Sequence, residues 1–317
     1  MKIFRSIAEV PANFGPSIIS IGNFDGVHRG HRWVISEIIA RARESGTKSI
    51  AVTFDPHPVR ILRPGSPTKM ISPTEEKLRL LAATGLDATL VLPFTQELSQ
   101  TSAEDFISKV ICDCLRATEV HVGSNFRFGY QAQADVMRLA ELGNELDFSA
   151  KIYEPVPLRG GIISSSRIRQ LILAGNLSTA RVLLGRPYSI CSTPARGRGY
   201  GTKYAVPTIN LAPYSELLPA NGVYVTTLQI GDDGPIFEGV TNAGNRPTFG
   251  PDSYAVETHL FNFHPVDMTE ETPLRLTFLK HLRPEMKWDS PEALKAQIGK
   301  DIARAQRFLR GYRRLMQ

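Results

Sequence analysis

Cysteine is scarce: 317 residues hold three, Cys112, Cys114 and Cys191, and none of them forms a CxxC pair. That scarcity excludes a disulfide framework and leaves no thiolate set at zinc spacing. A reducing cytoplasm is therefore the expected compartment. Apolar runs long enough to span a bilayer are also lacking, so no membrane partner is expected. The opening MKIFRSIAEVPANFGPS carries two basic side chains but no apolar stretch, and does not read as a secretory signal. Internal repeats and low-complexity tracts are absent as well.

What is present is the composition of an ordinary globular protein, 42% apolar and 21% charged, in a chain long enough for two domains. The formal net charge of +6 suits either a nucleic-acid binder or an enzyme of polyanionic substrates. Much of it lies in Arg304, Arg307, Arg310, Arg313 and Arg314, at the spacing of the solvated face of a last helix. With no zinc-finger or RNA-recognition signature beside that run, nucleic acid is not an expected partner. A homo-oligomer is compatible with the sequence, which does not specify one.

Up to residue 186, short apolar runs alternate with amphipathic ones. Strands are predicted over 17–21, 49–53, 88–92, 119–122 and 150–153, and helices over 32–45, 74–84, 103–115, 135–142 and 167–174. Such alternation predicts an α/β domain, a parallel sheet with helices on both faces. After Gly185 the texture changes to β-type runs over 222–230, 236–242, 254–261 and 274–278, separated by turn residues. These predict a small antiparallel barrel or sandwich closed by a helix over 291–315. The expected domains are 1–186 and 187–317.

The densest chemistry lies in residues 20–31, S-I-G-N-F-D-G-V-H-R-G-H. Gly22 and Gly26 permit a sharp turn and a close ligand approach. His28 and His31 fall where a strand gives way to a helix, and a helix start offers free N–H groups and a positive dipole end to an anion. The pair suits a triphosphate being cut between its α and β phosphorus atoms. Taken alone, it is equally compatible with ordinary half-buried histidines or half of a metal site.

Further motifs follow in order: TFDPHP (53–58), LPFTQELSQTSAEDF (92–106), VGSNFRFG (122–129), ISSSRIR (163–169) and LLGRPY (183–188). VPTINL (206–211), NGVYV (221–225), GVTNAGNRPTFG (239–250) and VETHLFNF (256–263) continue the series. With GNFDGVHRGH, it resembles the bacterial bifunctional riboflavin kinase/FAD synthetase family across essentially the whole chain. The resemblance implies a Rossmann-like FMN adenylyltransferase domain, then a small β-barrel riboflavin kinase domain with a C-terminal helix. It implies two reactions: the second half phosphorylates riboflavin with ATP to FMN, and the first transfers AMP from another ATP to FMN, giving FAD and pyrophosphate. ATP, riboflavin and FMN are the implied partners, and Mg²⁺ the implied metal.

The resemblance also distributes roles. His28 and His31 hold the ATP phosphates and steady the departing pyrophosphate. Gly22, Asn23 and Asp25 shape the first loop, the last two orienting substrate or a metal-bound water. Asn125 binds nucleotide or flavin phosphate, and Ser165, Ser166 and Arg169 grip the same phosphates at a second helix start. The attacking group there is the phosphate of FMN, whose second pKa is ~6, so no general base is needed. The kinase step differs, because an alcohol must lose a proton, and Glu257 is the implied base. Thr208 and Asn210 are the implied Mg²⁺ ligands, two apart and so on one side of an extended segment. Gly199, Gly201 and Lys203 are implied to wrap nucleotide phosphates, with Arg246 joining the nucleotide-binding set.

Three departures stand out. Gly199 to Asn210 lacks the family's alternating Gly-Arg series and its G-F-P-T-A-N run, Ala134 stands for a glycine, and Ser166 for a threonine. Two alternatives therefore stay open: activity in the adenylyltransferase half alone, or a non-catalytic flavin- or nucleic-acid-binding regulator.

Overall fold

The computed structural model describes residues 1–195, 208–245 and 254–316. The chain forms two compact units, Met1–Ser165 and Ser166–Gln317. The first unit contains strands β1 (Lys2–Phe4), β2 (Ser17–Ile21), β3 (Lys48–Asp55), β4 (Ala88–Pro93), β5 (Ala117–Gly123) and β6 (Ser149–Tyr153). Its helices are α1 (Arg29–Ser45), α2 (Pro58–Leu62), α3 (Thr74–Ala82), α4 (Gln96–Ser99), α5 (Ala103–Phe106) and α6 (Val136–Glu145).

Among the described residues the strands form one parallel sheet in the order β1-β4-β3-β2-β5-β6. Strand β2, SIISI, is buried throughout. Its successive side chains enter two different cores, as a strand period of two requires. Ile18 packs in a cluster with Ile35, Ile38 and Ile39 of α1 and Leu81 of α3. Ile19 and Ile21 belong to another, with Ile107, Val110, Ile111 and Leu139. Each such isoleucine contributes about 1.5–3 kcal/mol by leaving water, which is why this central strand is apolar on both faces. Helix α1 stops at Gly46, whose φ of 67° lets its N–H reach back to Ala42 O.

The parallel α/β reading therefore stands, with local differences. The helix expected over 103–115 changes character after α5 and runs as a π-helix over Ile107–Cys114. Ile107, Val110 and Ile111 remain buried in it, so the apolar spacing did not distinguish the wider turn. Strand β1 was not expected, because three residues at a sheet edge carry no readable period.

The second unit begins one residue into α7 (Ser165–Leu173) and continues with α8 (Leu177–Leu184), both on the N-terminal side of the boundary expected at 186. Strands β7 (Tyr188–Ser192), β8 (Pro194–Ala195), β9 (Thr208–Leu211), β10 (Gly222–Ile230), β11 (Ile236–Asn245), β12 (Tyr254–Leu260) and β13 (Leu274–Pro284) follow, then α9 (Pro291–Met316). Their order is β7-β13-β10-β11-β12-β9-β8, antiparallel throughout. β7 and β8 lie at opposite ends of that order yet are joined by Thr193 alone, so the sheet curls on itself. Shifts of register between β10 and β13 at Val223/Tyr224 and Val225/Thr226 accommodate the bend. Inside, Thr226, Thr241 and Thr258 satisfy one another, at 2.7 and 2.9 Å between hydroxyls. Ala305 and Leu309 of α9 cover Val225 and Leu279.

Candidate active sites

In the first unit the chain leaves β2 in one direction for β3 and reaches β5 on the other side of β2. The crevice at the carboxyl ends of β2 and β5 is thus a topological switch point, where open α/β sheets bind ligands. The loop after β2 occupies it. Phe24, Gly26 and Val27 have φ of 49°, 78° and 36°. Burial of Phe24 and Val27 holds those non-glycine residues in a conformation they otherwise avoid. A Cβ on Gly26 would lie 3.0 Å from Ile71 Cγ2, so glycine is required there for space as well as for φ.

His28 caps α1, which begins three residues earlier than its apolar period suggested: its Nδ1 accepts the His31 N–H at 3.3 Å. An Nδ1 that accepts leaves Nε2 as the ring nitrogen of His28 that carries a proton. The two imidazoles stack at 3.6 Å with 15° between planes, and Phe24 meets His31 edge-on at 5.3 Å. Gly30 lies against this stack, since a Cβ there would stand 3.3 Å from the His28 ring. Burial, then the neighbouring charges of His28 and Lys77, hold the His31 imidazole well below its ordinary 6.5, so it is neutral at neutral pH. Its Nδ1 is buried without a hydrogen-bond partner.

The other expected residues divide. Asp25 is buried, and its carboxylate accepts the N–H groups of Ile71 and Ser72 at 2.9 and 3.1 Å. It acts there as a strut between two loops. Ser165, the last residue of the first unit, donates its Oγ hydrogen to Asp25 O at 2.9 Å. Gly22 donates its N–H to Val52 O, and Asn23 O accepts from Thr53 Oγ1 at 3.2 Å, leaving the Asn23 side chain exposed. Asn125 is exposed in the loop after β5. Ser166, exposed, and Arg169, half-buried, continue α7 within the second unit.

Two features escaped the sequence reading. Thr74 Oγ1 donates to Asp55 at 2.6 Å, tying α3 to the end of β3. Lys77 of α3 is buried, its Nζ donating to Thr53 Oγ1 and Phe54 O, both at 3.1 Å. The available signal was its position four residues before Leu81, on the apolar side of α3.

In the second unit, β12 buries Val256, Thr258 and Leu260 and leaves Glu257 and His259 half-exposed on the other face. Register places Glu257 directly opposite Asn210, and His259 opposite Thr208. Opposed residues of an antiparallel pair project to the same face, so the carboxylate and both neutral oxygen donors share one surface. That is a hard-oxygen set of the kind Mg²⁺ accepts together with phosphate oxygens and waters. Gly199, Gly201, Lys203 and Arg246 lie outside the described residues.

Comparison with known proteins follows the same division. Residues 10–167 match the FAD synthetase family model, and residues 184–309 the riboflavin kinase model. A bifunctional riboflavin kinase/FMN adenylyltransferase of Pseudomonas fluorescens is 33% identical, over 96% of this chain and 97% of its own length. The protein of that name from Escherichia coli (strain K12) is 32% identical, over 97% and 98%. A crystal structure described as a macrolide-efflux protein from Streptococcus pneumoniae superposes with a TM-score of 0.84 at 27% identity, covering 94% of this chain and 96% of that one. No helix among the described residues of this chain is long and apolar enough to cross a membrane. The chain belongs to the bifunctional riboflavin kinase/FMN adenylyltransferase family.

Proposed function

We propose that this protein makes FMN from riboflavin and ATP with residues 187–317, and FAD from FMN and a second ATP with residues 1–186, in the cytoplasm. The observation that carries the reading is the match of both halves, in order, to the two activities of this family. The two sites differ as the two reactions demand.

In adenylyl transfer a phosphate oxygen of FMN attacks the α-phosphorus of ATP, and the bond to the bridging oxygen breaks to release pyrophosphate. The attacker is already anionic, so the site has to orient it and accommodate charge on the leaving group. His28 with a proton on Nε2, stacked on a neutral His31 at the start of α1, supports that role. Asn125 and Ser165, with Ser166 and Arg169 beyond it, are the further phosphate contacts proposed.

In the kinase reaction the ribityl hydroxyl attacks the γ-phosphorus of ATP, the bond to the β,γ-bridging oxygen breaks to release ADP, and Glu257 takes the hydroxyl proton. Thr208 and Asn210 would hold Mg²⁺, which when bound offsets charge on the phosphate oxygens. Gly199, Gly201, Lys203 and Arg246 complete the nucleotide contacts proposed.

The test is to incubate the protein with riboflavin, ATP and Mg²⁺ and separate the flavins by chromatography. FMN and FAD should both appear, and FAD alone should form from supplied FMN. Absence of both products ends the proposal.

A further inference from the structure

Lys77 is buried to 5% exposure, and among the described residues no other lysine or arginine is so enclosed. A buried ammonium normally has a carboxylate against it, because desolvating a charge is costly. Lys77 makes no ion pair; its hydrogen bonds go to two neutral oxygens, Thr53 Oγ1 and Phe54 O. Two carboxylates, Asp25 and Asp55, act on it from beyond contact, and each is engaged elsewhere, with Ile71 and Ser72 or with Thr74. Glu76, next to it on α3, pairs with Arg79. An ammonium has three donors, so one N–H remains beyond the two bonds.

The position of this charge is specific. Thr53 Oγ1, which accepts from Lys77, donates in turn to Asn23 O in the loop after β2. Lys77 thus lies behind the loop that presents the stacked histidines, at the carboxyl end of the sheet. Its field reaches that site, since it is one of the charges holding His31 neutral.

We propose that Lys77 is a further residue of the adenylyl-transfer site, a fixed buried cation whose counter-charge is the polyphosphate of the nucleotide. The inference rests on the proposed adenylyltransferase reading and adds a division of labour to it. His31 meets the phosphates as a neutral hydrogen-bonding group, and Lys77 supplies positive charge that it cannot. In the ligand-free protein this cation has no carboxylate of the described residues in contact with it, and binding supplies one more opposite charge.

The experiment uses the full chain with inorganic pyrophosphate as the probe. In Lys77→Met, ligand-free thermal stability should match or exceed wild type, because an unpaired buried charge is replaced by an apolar chain of similar length. Its pyrophosphate affinity should fall roughly ten- to a hundred-fold, the range for losing a charge-assisted contact. Lys77→Arg should retain most of that affinity. Wild-type affinity in Lys77→Met would overturn the inference, and so would a lowered ligand-free melting point, which would mark Lys77 as a strut. Should Lys77→Met fail to fold, ¹⁵N NMR of the wild-type Lys77 ammonium decides: its resonance should move on adding pyrophosphate, and an unmoved resonance overturns the inference. Wild-type protein that makes no FAD from FMN and ATP would instead remove the adenylyltransferase reading, leaving the pyrophosphate result to stand by itself.

Discussion

In the first unit the groups proposed to react sit on a loop at the carboxyl edge of a sheet, whereas in the second they sit within paired strands. The parallel sheet consumes both of its faces in packing, as Ile18 and Ile19 show by entering different cores. Chemistry is therefore pushed to the strand ends, where a loop must be held by other means. Here the means are the Asp25 carboxylate, the left-handed turn at Gly26 and the His28 cap. The antiparallel sheet needs one face of β12 for its core, so the other face can carry Glu257 opposite Asn210 without any loop. A loop-borne site depends on backbone conformation, while a strand-borne site depends on register.

The sharpest way to break this comparison is Glu257→Gln. FMN formation should fall by about 10²–10⁴, the usual worth of a positioned base, while FAD still forms from supplied FMN. His28→Ala should do the reverse, lowering FAD formation by about 10²–10³, as loss of one charge-stabilising donor does, with FMN formation kept. Loss of both activities in either folded variant, read by flavin chromatography, would refute two independent sites.

Acid should separate the units by stability. Burial is the leading cause that holds His31, His121 and His281 below 6.5 in the folded protein. As pH falls through 6.5 the unfolded chain takes up protons first, so stability is fully present above that value and lost below it, toward the folded pKa values. Two of these histidines belong to the first unit, which should lose stability the more steeply in melting curves recorded from pH 8 to 5.

Gly26→Ala tests the loop itself. The positive φ and the 3.0 Å approach to Ile71 should cost about 1–3 kcal/mol and depress FAD formation, leaving the kinase alone. Thr241→Val is the smallest change: it takes the partner from the hydroxyls of Thr226 and Thr258, and should lower denaturant stability by about 1–2 kcal/mol.

Much of this architecture was legible before any coordinates. The apolar run 17–21 is β2 to the residue, and 222–230 is β10. His28 and His31 could be singled out because histidines beside glycines at a strand-to-helix junction combine local signals. Asp25 could not be assigned from the same motif, since its partners, Ile71 and Ser72, lie far along the chain. Lys77 gave one local hint, a charge on an apolar helix face, but nothing local says what surrounds it.

The sequence by itself determined where the chain extends, coils and turns, and which residue types were available for two phosphate reactions. Those properties arise from neighbours within a few positions, through side-chain period, capping and glycine freedom. Tertiary structure alone decided that Glu257 faces Asn210, that the Asp25 carboxylate is spent on another loop, and that an unpaired ammonium lies behind the histidines. Each of these is a pairing across tens of residues, set by which strands come together and in what register, and no local pattern encodes it.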